Sequence, residues 1–150
     1  MSEVQNHAER LARAAFAALP DGVYQGEDRV DQDVATGNPV TVRLQLTVDG
    51  DRAIFDLTKS DDAAQTGINC TIAATTSAVF IGMASILPPM PMNAGVMRAI
   101  EISARKGSIV WAQPPVAISG LAITTMDCVI GSVMIALGKA KPERAIGLPS

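Results

Sequence analysis

Nucleophilic hydrolysis needs a serine, cysteine or threonine beside a base, and His7 is the only imidazole among the 150 residues. His7 lies on what reads as an exposed N-terminal helix, so a triad within this chain is not expected. The two cysteines have no C-x-x-C partner and stand in apolar runs, which predicts buried thiols rather than a disulfide or a zinc site. The adjacent acids Asp61 and Asp62 have the chemistry of a cation site or an acid–base pair, although neighbouring carboxylates on a loop more often face water. Asp28, Asp31 and Asp33 lack the glycine and terminal glutamate of a calcium loop. Neither a G-x-x-x-x-G-K-[ST] nor a strand followed by G-x-G-x-x-G is present, so nothing in the motifs argues for nucleotide binding. What remains is a set of polar groups beside glycines and prolines, Ser60, Gln65, Asn69 and Asn93, able to orient a ligand or to tie irregular backbone together.

The elements that must position these groups are readable from periodicity. Val4, Ala8, Leu11, Ala15 and Ala18 recur at helical spacing from Glu3 to Leu19, with Ser2 as N-cap and Pro20-Asp21-Gly22 as the stop. The interval Val23 to Pro39 is acidic and broken by glycine, and reads as a loop with one short strand near Val23-Tyr24. Val40 to Leu57 alternates apolar and polar residues around Asp49-Gly50, the signature of a hairpin with a two-residue type I′ turn. That register opposes Leu46 to Ala53 and Leu44 to Phe55, and sets Arg43 across from Asp56 as a structural ion pair.

Further on, a small-residue helix is expected from Ile72 to Leu87, ended by Pro88-Pro89. Val96 to Ala104 and Ser108 to Ala112 read as a second hairpin through Arg105-Lys106-Gly107, with Trp111 packing at a sheet end. A final apolar helix is expected over Gly120 to Gly138, capped by Ser119. Its apolar core, Leu121 to Leu137, carries Asp127 and is just short of a membrane span, so a buried helix is the expectation. The fold class predicted is mixed α/β, with antiparallel hairpins packed against buried helices. Apolar residues make up 48% of the chain and charged residues 18%, a balance that excludes an intrinsically disordered chain. A net charge of −3 offers no footprint for nucleic acid or for an anionic membrane. An N-terminus without an apolar leader points to the cytoplasm.

Taken in order, Pro20-Asp21-Gly22-Val23-Tyr24, Phe55-Asp56-Leu57-Thr58 with Ser60 and Gln65, and Gly67-Ile68-Asn69-Cys70 resemble the hydantoinase B/oxoprolinase family. The likeness continues through Thr76-Ser77-Ala78-Val79, Pro91-Met92-Asn93-Ala94-Gly95, Gly107-Ser108-Ile109 and Pro114-Pro115-Val116-Ala117, spanning about Leu19 to Lys141. Family members are far longer, so the resemblance implies an interior section of a large subunit, read as a single domain or fragment over residues 1–150. The activity implied is ATP-dependent opening of cyclic amides such as hydantoins or 5-oxoproline; a subunit of an acetone or acetophenone carboxylase-like complex and a non-catalytic interaction module are the alternatives. ATP and a divalent metal are implied for the full enzyme, with none bound by this chain alone, because the family's ATP-handling part is a hydantoinase A-like subunit and its metal motifs lie upstream. The implied partners are that hydantoinase A-like subunit and the remainder of the hydantoinase B-like subunit, in an oligomer. No residue is expected to be catalytic; Ser60, Gln65, Asn69 and Asn93 are the candidate substrate contacts, as pocket wall. Two departures stand out. Lys59 occupies a place where the family usually has glycine, and Leu121 to Thr125 replace arginines common near the last helix.

Overall fold

The computed structural model describes residues 2–30, 39–63, 69–91, 94–113 and 122–140. Three helices and a four-stranded mixed sheet are built from them: α1 (Ser2–Ala17), β1 (Gly22–Val30), β2 (Val40–Asp49), β3 (Arg52–Asp56), α2 (Ile72–Ile86), β4 (Ile100–Ser103) and α3 (Ala122–Ala140). The sheet runs β1-β2-β3-β4, antiparallel except for the parallel pair β3/β4. The mixed α/β class expected from periodicity is therefore the one observed.

Strand β2 is central because its alternation is cleanest. Val42, Leu44, Leu46 and Val48 are all buried, and with Ala53 and Phe55 of β3 they form the apolar face of the sheet. Full burial of side chains such as Phe55 and Leu46 stabilises by about 1.5–3 kcal/mol each. The hairpin forms, but its register differs by two from the expected one. Gly50 (φ +64°) and Asp51 make the turn, Asp49 pairs with Arg52, Val48 with Ala53 and Leu46 with Phe55. Only the first turn position has positive φ, which is the sign pattern of type II′ rather than I′. The physical reason is visible on the apolar face: the expected register set Val48 against Asp51, whereas the observed one sets it against Ala53 and releases Asp51 to meet Arg13 at 3.2 Å.

Residues 31–38 of the acidic interval lie outside the described residues, and its described part, up to Val30, is not a loop with a short strand. It is a nine-residue edge strand paired along its whole length, from Gly22 opposite Val48 to Val30 opposite Val40. Apolar alternation is missing because this strand meets α3 by backbone approach instead of by large side chains. A Cβ at Gly26 would lie 2.0 Å from the Ser132 carbonyl oxygen. Helix α2 covers the far side of α3, where Gly82 admits Val133. Thr71 caps α2 by accepting the Ala74 N–H at 3.1 Å. On α1 and the two residues after it the buried stripe is Ala8, Ala12, Ala15, Phe16 and Leu19, while Val4 and Ala18 face solvent. Phe16, the largest apolar side chain of the helix, takes the interior and turns the stripe by about one residue from the expected one.

The second hairpin does not form. Val96–Arg98 is a single 3₁₀ turn, and β4 runs parallel to β3, with Ala53 N–H donating to Ala99 O at 3.1 Å and Leu57 N–H to Ser103 O at 2.7 Å. An open edge on β3 captured this strand, and α2 supplies the crossover that a parallel pair needs. Residues 105–111 fold back on themselves through Gly107 (φ +89°), where Gly107 N–H reaches Trp111 O. Trp111 is half-buried at that turn, with the Lys106 ammonium 5.3 Å from its ring centroid. Cys70 and Cys128 are buried thiols. Among the described residues no helix is long and apolar enough to cross a membrane. Pro114, Pro115 and the expected cap Ser119 lie outside the described residues.

Candidate functional site

Side chains alternate along a strand, so the observed pairing decides which polar groups share a face. Gln25 opposes Gln45, Gln45 opposes Asp56, and Glu27 opposes Arg43. These five groups therefore lie on one face of β1-β2-β3, the one opposite the apolar face. They line a pocket of about 360 Å³, whose rim is completed by Lys59 just past β3 and by Ile135 and Lys139 near the end of α3. The Lys139 ammonium donates to the Gln25 carbonyl at 2.6 Å, tying the helix end to the edge strand.

Arg43 is the best-anchored group of the pocket. Its Nη1 donates to Asp61 Oδ1 at 2.6 Å and to Lys59 O at 3.0 Å, and its Nε stands 3.9 Å from Glu27 Oε2. Its backbone is held as well, because Ser60 Oγ accepts the Arg43 N–H at 3.0 Å and donates to Arg43 O at 3.2 Å. Asp61 Oδ2 accepts the Thr41 N–H at 2.9 Å. Partial burial pulls the Asp61 carboxyl upward, but the Arg43 and Thr41 hydrogen bonds and the Arg43 and Arg105 charges outweigh it and hold the group below its ordinary value.

The ion pair expected between Arg43 and Asp56 is not made. In the observed register Gln45 opposes Asp56, and Arg43 turns to Asp61 instead. Asp56 Oδ1 closes a turn at the strand end, accepting from Thr58 N–H at 2.8 Å and Thr58 Oγ1 at 2.6 Å. Its Oδ2 makes no bond among the described residues. The same holds for Lys59 Nζ, Arg43 Nη2 and the side-chain amides of Gln25 and Gln45.

Of the four candidate contacts read from the sequence, Ser60 is buried beneath the pocket with its hydroxyl engaged by the Arg43 backbone. Asn69 is fully buried ahead of the α2 cap, next to Cys70, whose backbone pairs with Ile109 and Ala112. Gln65 and Asn93 lie outside the described residues. Ser60 and Asn69 are not brought into one pocket lining. The acids split as well: Asp61 binds Arg43, while Asp62 pairs with Arg105 at 2.9 Å. His7 is exposed on α1. Among the described residues no three His, Cys, Asp or Glu side chains converge on a metal position. The pocket groups missed by sequence reading, Gln25 and Glu27, sat in a segment taken for a loop. A partial signal was present in the polar positions of β2, since Arg43 and Gln45 had to share a face.

Comparison with known proteins agrees with this architecture. The family model described as Hydantoinase B/oxoprolinase matches residues 1–149. The beta subunit of caprolactamase from Pseudomonas jessenii is 28% identical over 147 residues, covering 96% of this chain and 25% of the relative. The B component of a putative D-/L-hydantoinase from Pseudomonas sp. (strain NS671) is 27% identical over 157 aligned positions, covering 95% of this chain and 26% of the relative. The crystal structure of the ATP-dependent caprolactamase from Pseudomonas jessenii superposes with a TM-score of 0.84 at 28% identity, over 95% of this chain and 25% of that one. A nucleotide-free acetone carboxylase structure superposes with a TM-score of 0.77 at 16% identity, over 92% of this chain and 20% of that one, a likeness of fold alone. The chain thus spans about a quarter of the length of the relatives it matches.

Proposed function

The chain belongs to the hydantoinase B/oxoprolinase family, and on that premise we propose that it is one section of the large subunit of an ATP-dependent cyclic-amide hydrolase. The observation that carries this reading is the match to one component of a caprolactamase over nearly the whole chain, in sequence and in backbone alike. A resonance-stabilised amide resists water near neutral pH. ATP, when bound, would supply the phosphoryl group that makes the carbonyl oxygen a better leaving group, and a divalent metal would assist. Both belong in this reading to other parts of the assembly, a hydantoinase A-like subunit and the remainder of the hydantoinase B-like subunit. This section contributes scaffold and pocket wall: the apolar face of the sheet docks α3, and the polar face presents anchored Arg43 beside Asp56 and Lys59. The reading places the assembly in the cytoplasm.

The test is ring opening of a panel of lactams, hydantoins and 5-oxoproline with MgATP, followed by ADP formation and by amine release, or for hydantoins by N-carbamoyl acid formation. Turnover is expected when this section is joined to the rest of the large subunit and to the ATP-handling subunit, and none from the section alone. Unaided turnover by the 150 residues, or turnover by the assembly that is indifferent to ATP, would overturn the proposal. The likeness to acetone carboxylase carries the fold only, so the carboxylase alternative has no observation specific to it.

A further inference from the structure

We infer that the pocket on the polar face of β1-β2-β3 binds a small zwitterion, a molecule carrying one ammonium and one carboxylate a few carbons apart. The pocket's charges are mixed. Arg43, Lys59 and Lys139 face Glu27 and Asp56, and Asp61 stands behind Arg43. A bare phosphate would meet two carboxylates, and a bare cation would meet three basic groups; a ligand with both charges satisfies the lining. The groups left without a bond among the described residues sort by sign. Lys59 Nζ and Arg43 Nη2 receive a carboxylate, Asp56 Oδ2 receives an ammonium, and the Gln25 and Gln45 amides can donate and accept between them, while the Glu27 carboxylate, 3.9 Å from Arg43 Nε, adds a second negative group to the lining. Arg43 is preorganised for this by Asp61, Lys59 O and the Ser60 clamp, so little ordering remains on binding. The volume of about 360 Å³ is at the lower end of small-molecule sites.

The source of such a ligand rests on the proposed function. Hydrolytic opening of a cyclic amide breaks the C–N bond, places the oxygen of water on the acyl carbon and leaves its hydrogens on the nitrogen and the acid. From a lactam ring the product is an amino acid, ionised at both ends near pH 7, whereas a hydantoin gives an N-carbamoyl amino acid with no ammonium. The pocket is accordingly a site for the ring-opened product of a lactam.

Calorimetric titration of the folded chain with ω-amino acids from 3-aminopropanoate to 7-aminoheptanoate tests the inference, using n-alkylamines and n-alkanoates of equal length as single-charge controls. At least one ω-amino acid is expected to bind tenfold more tightly than both of its controls. Lys59→Ala and Asp56→Asn are each expected to weaken it about tenfold, and circular dichroism checks that both variants fold. Lys59 is exposed, and asparagine retains the oxygen that accepts from Thr58, so neither change threatens the scaffold. Equal binding of zwitterion and single-charge controls, or affinity unchanged in folded Lys59→Ala and Asp56→Asn, overturns the inference. Its failure is separable from that of the enzymatic reading. Zwitterion binding in an assembly that opens no cyclic amide removes the reading and keeps the pocket, whereas turnover without binding here does the reverse.

Discussion

Replacing Gly26 with alanine should drive α3 away from the edge strand. The added Cβ would stand 2.0 Å from Ser132 O, 2.9 Å from Ser132 C and 3.1 Å from Ala136 N, all backbone atoms of α3 that cannot rotate aside. Restoring ordinary contact, at roughly 3.4 Å, moves either the helix or β1. The helix is pinned on its other side, where α2 sits against Val133. Forced overpacking of this kind costs about 1–3 kcal/mol, and a rigid backbone contact belongs at the upper end. Against it stands the gain of about 0.5–1 kcal/mol that alanine brings over glycine inside a regular element. A net loss of about 2 kcal/mol corresponds to a fall in Tm of about 4–8 °C for a chain of this size. Thermal and urea unfolding followed by far-UV circular dichroism measures it, with Gly50→Ala as the control. Gly50 has open space around it and only its φ of +64° to strain, so about 1–2 kcal/mol is expected there. If Gly26→Ala is neutral or stabilising, α3 does not lie on β1 at this point, and the account of the edge strand fails with it.

Three further outcomes follow from the groups around the pocket. Ser60→Ala removes the hydroxyl that both accepts from and donates to the Arg43 backbone, so unfolding free energy should fall by about 1–3 kcal/mol in urea titration; unchanged stability would show that Ser60 does not hold Arg43. Asp61 titrates below its ordinary value in the folded chain, so its contribution is present above the unfolded pKa of about 4 and disappears as pH falls through the folded value. Asp61→Asn should therefore flatten the acid limb of the stability–pH curve and lower stability near pH 7 by about 1 kcal/mol, a figure reduced for the solvent exposure of the pair; a limb of unchanged steepness would contradict the Arg43 pairing. Burial pushes the Cys70 thiol up to about 11, which leaves roughly a thousandth of it as thiolate at pH 8. A chromogenic disulfide reagent should then find neither cysteine rapidly in the folded chain and both in denaturant, and a fast phase assigned to Cys70 would show that the site opens.

Local pattern was enough to place α1, the β2/β3 hairpin, α2 and α3, because each buries one set of side chains at a fixed period. The ordered series from Pro20 to Ala117 was likewise enough to point to the family. Membership of the pocket was not legible. Its floor depends on a register in which Gln45 meets Asp56, and a hairpin whose apolar stripe survives a shift of two residues leaves that choice to the full set of contacts across the sheet.

The sequence alone determined which stretches turn, which alternate and which faces are apolar, since those follow from side-chain type and from the geometry of neighbouring residues. That an acidic, glycine-broken segment is an edge strand emerges only in the folded chain, because the reason lies in α3: Gly26 lets the Ser132 backbone approach it. The parallel joining of β4 to β3 likewise belongs to the folded chain, through hydrogen bonds such as Ala53 N–H to Ala99 O and Leu57 N–H to Ser103 O, each across 46 residues. And only the tertiary structure put Lys139 beside Gln25, a contact spanning 114 residues. Local preferences can be read where they act; a long-range contact exists once competing arrangements have lost, and that contest is settled by packing summed over the folded chain.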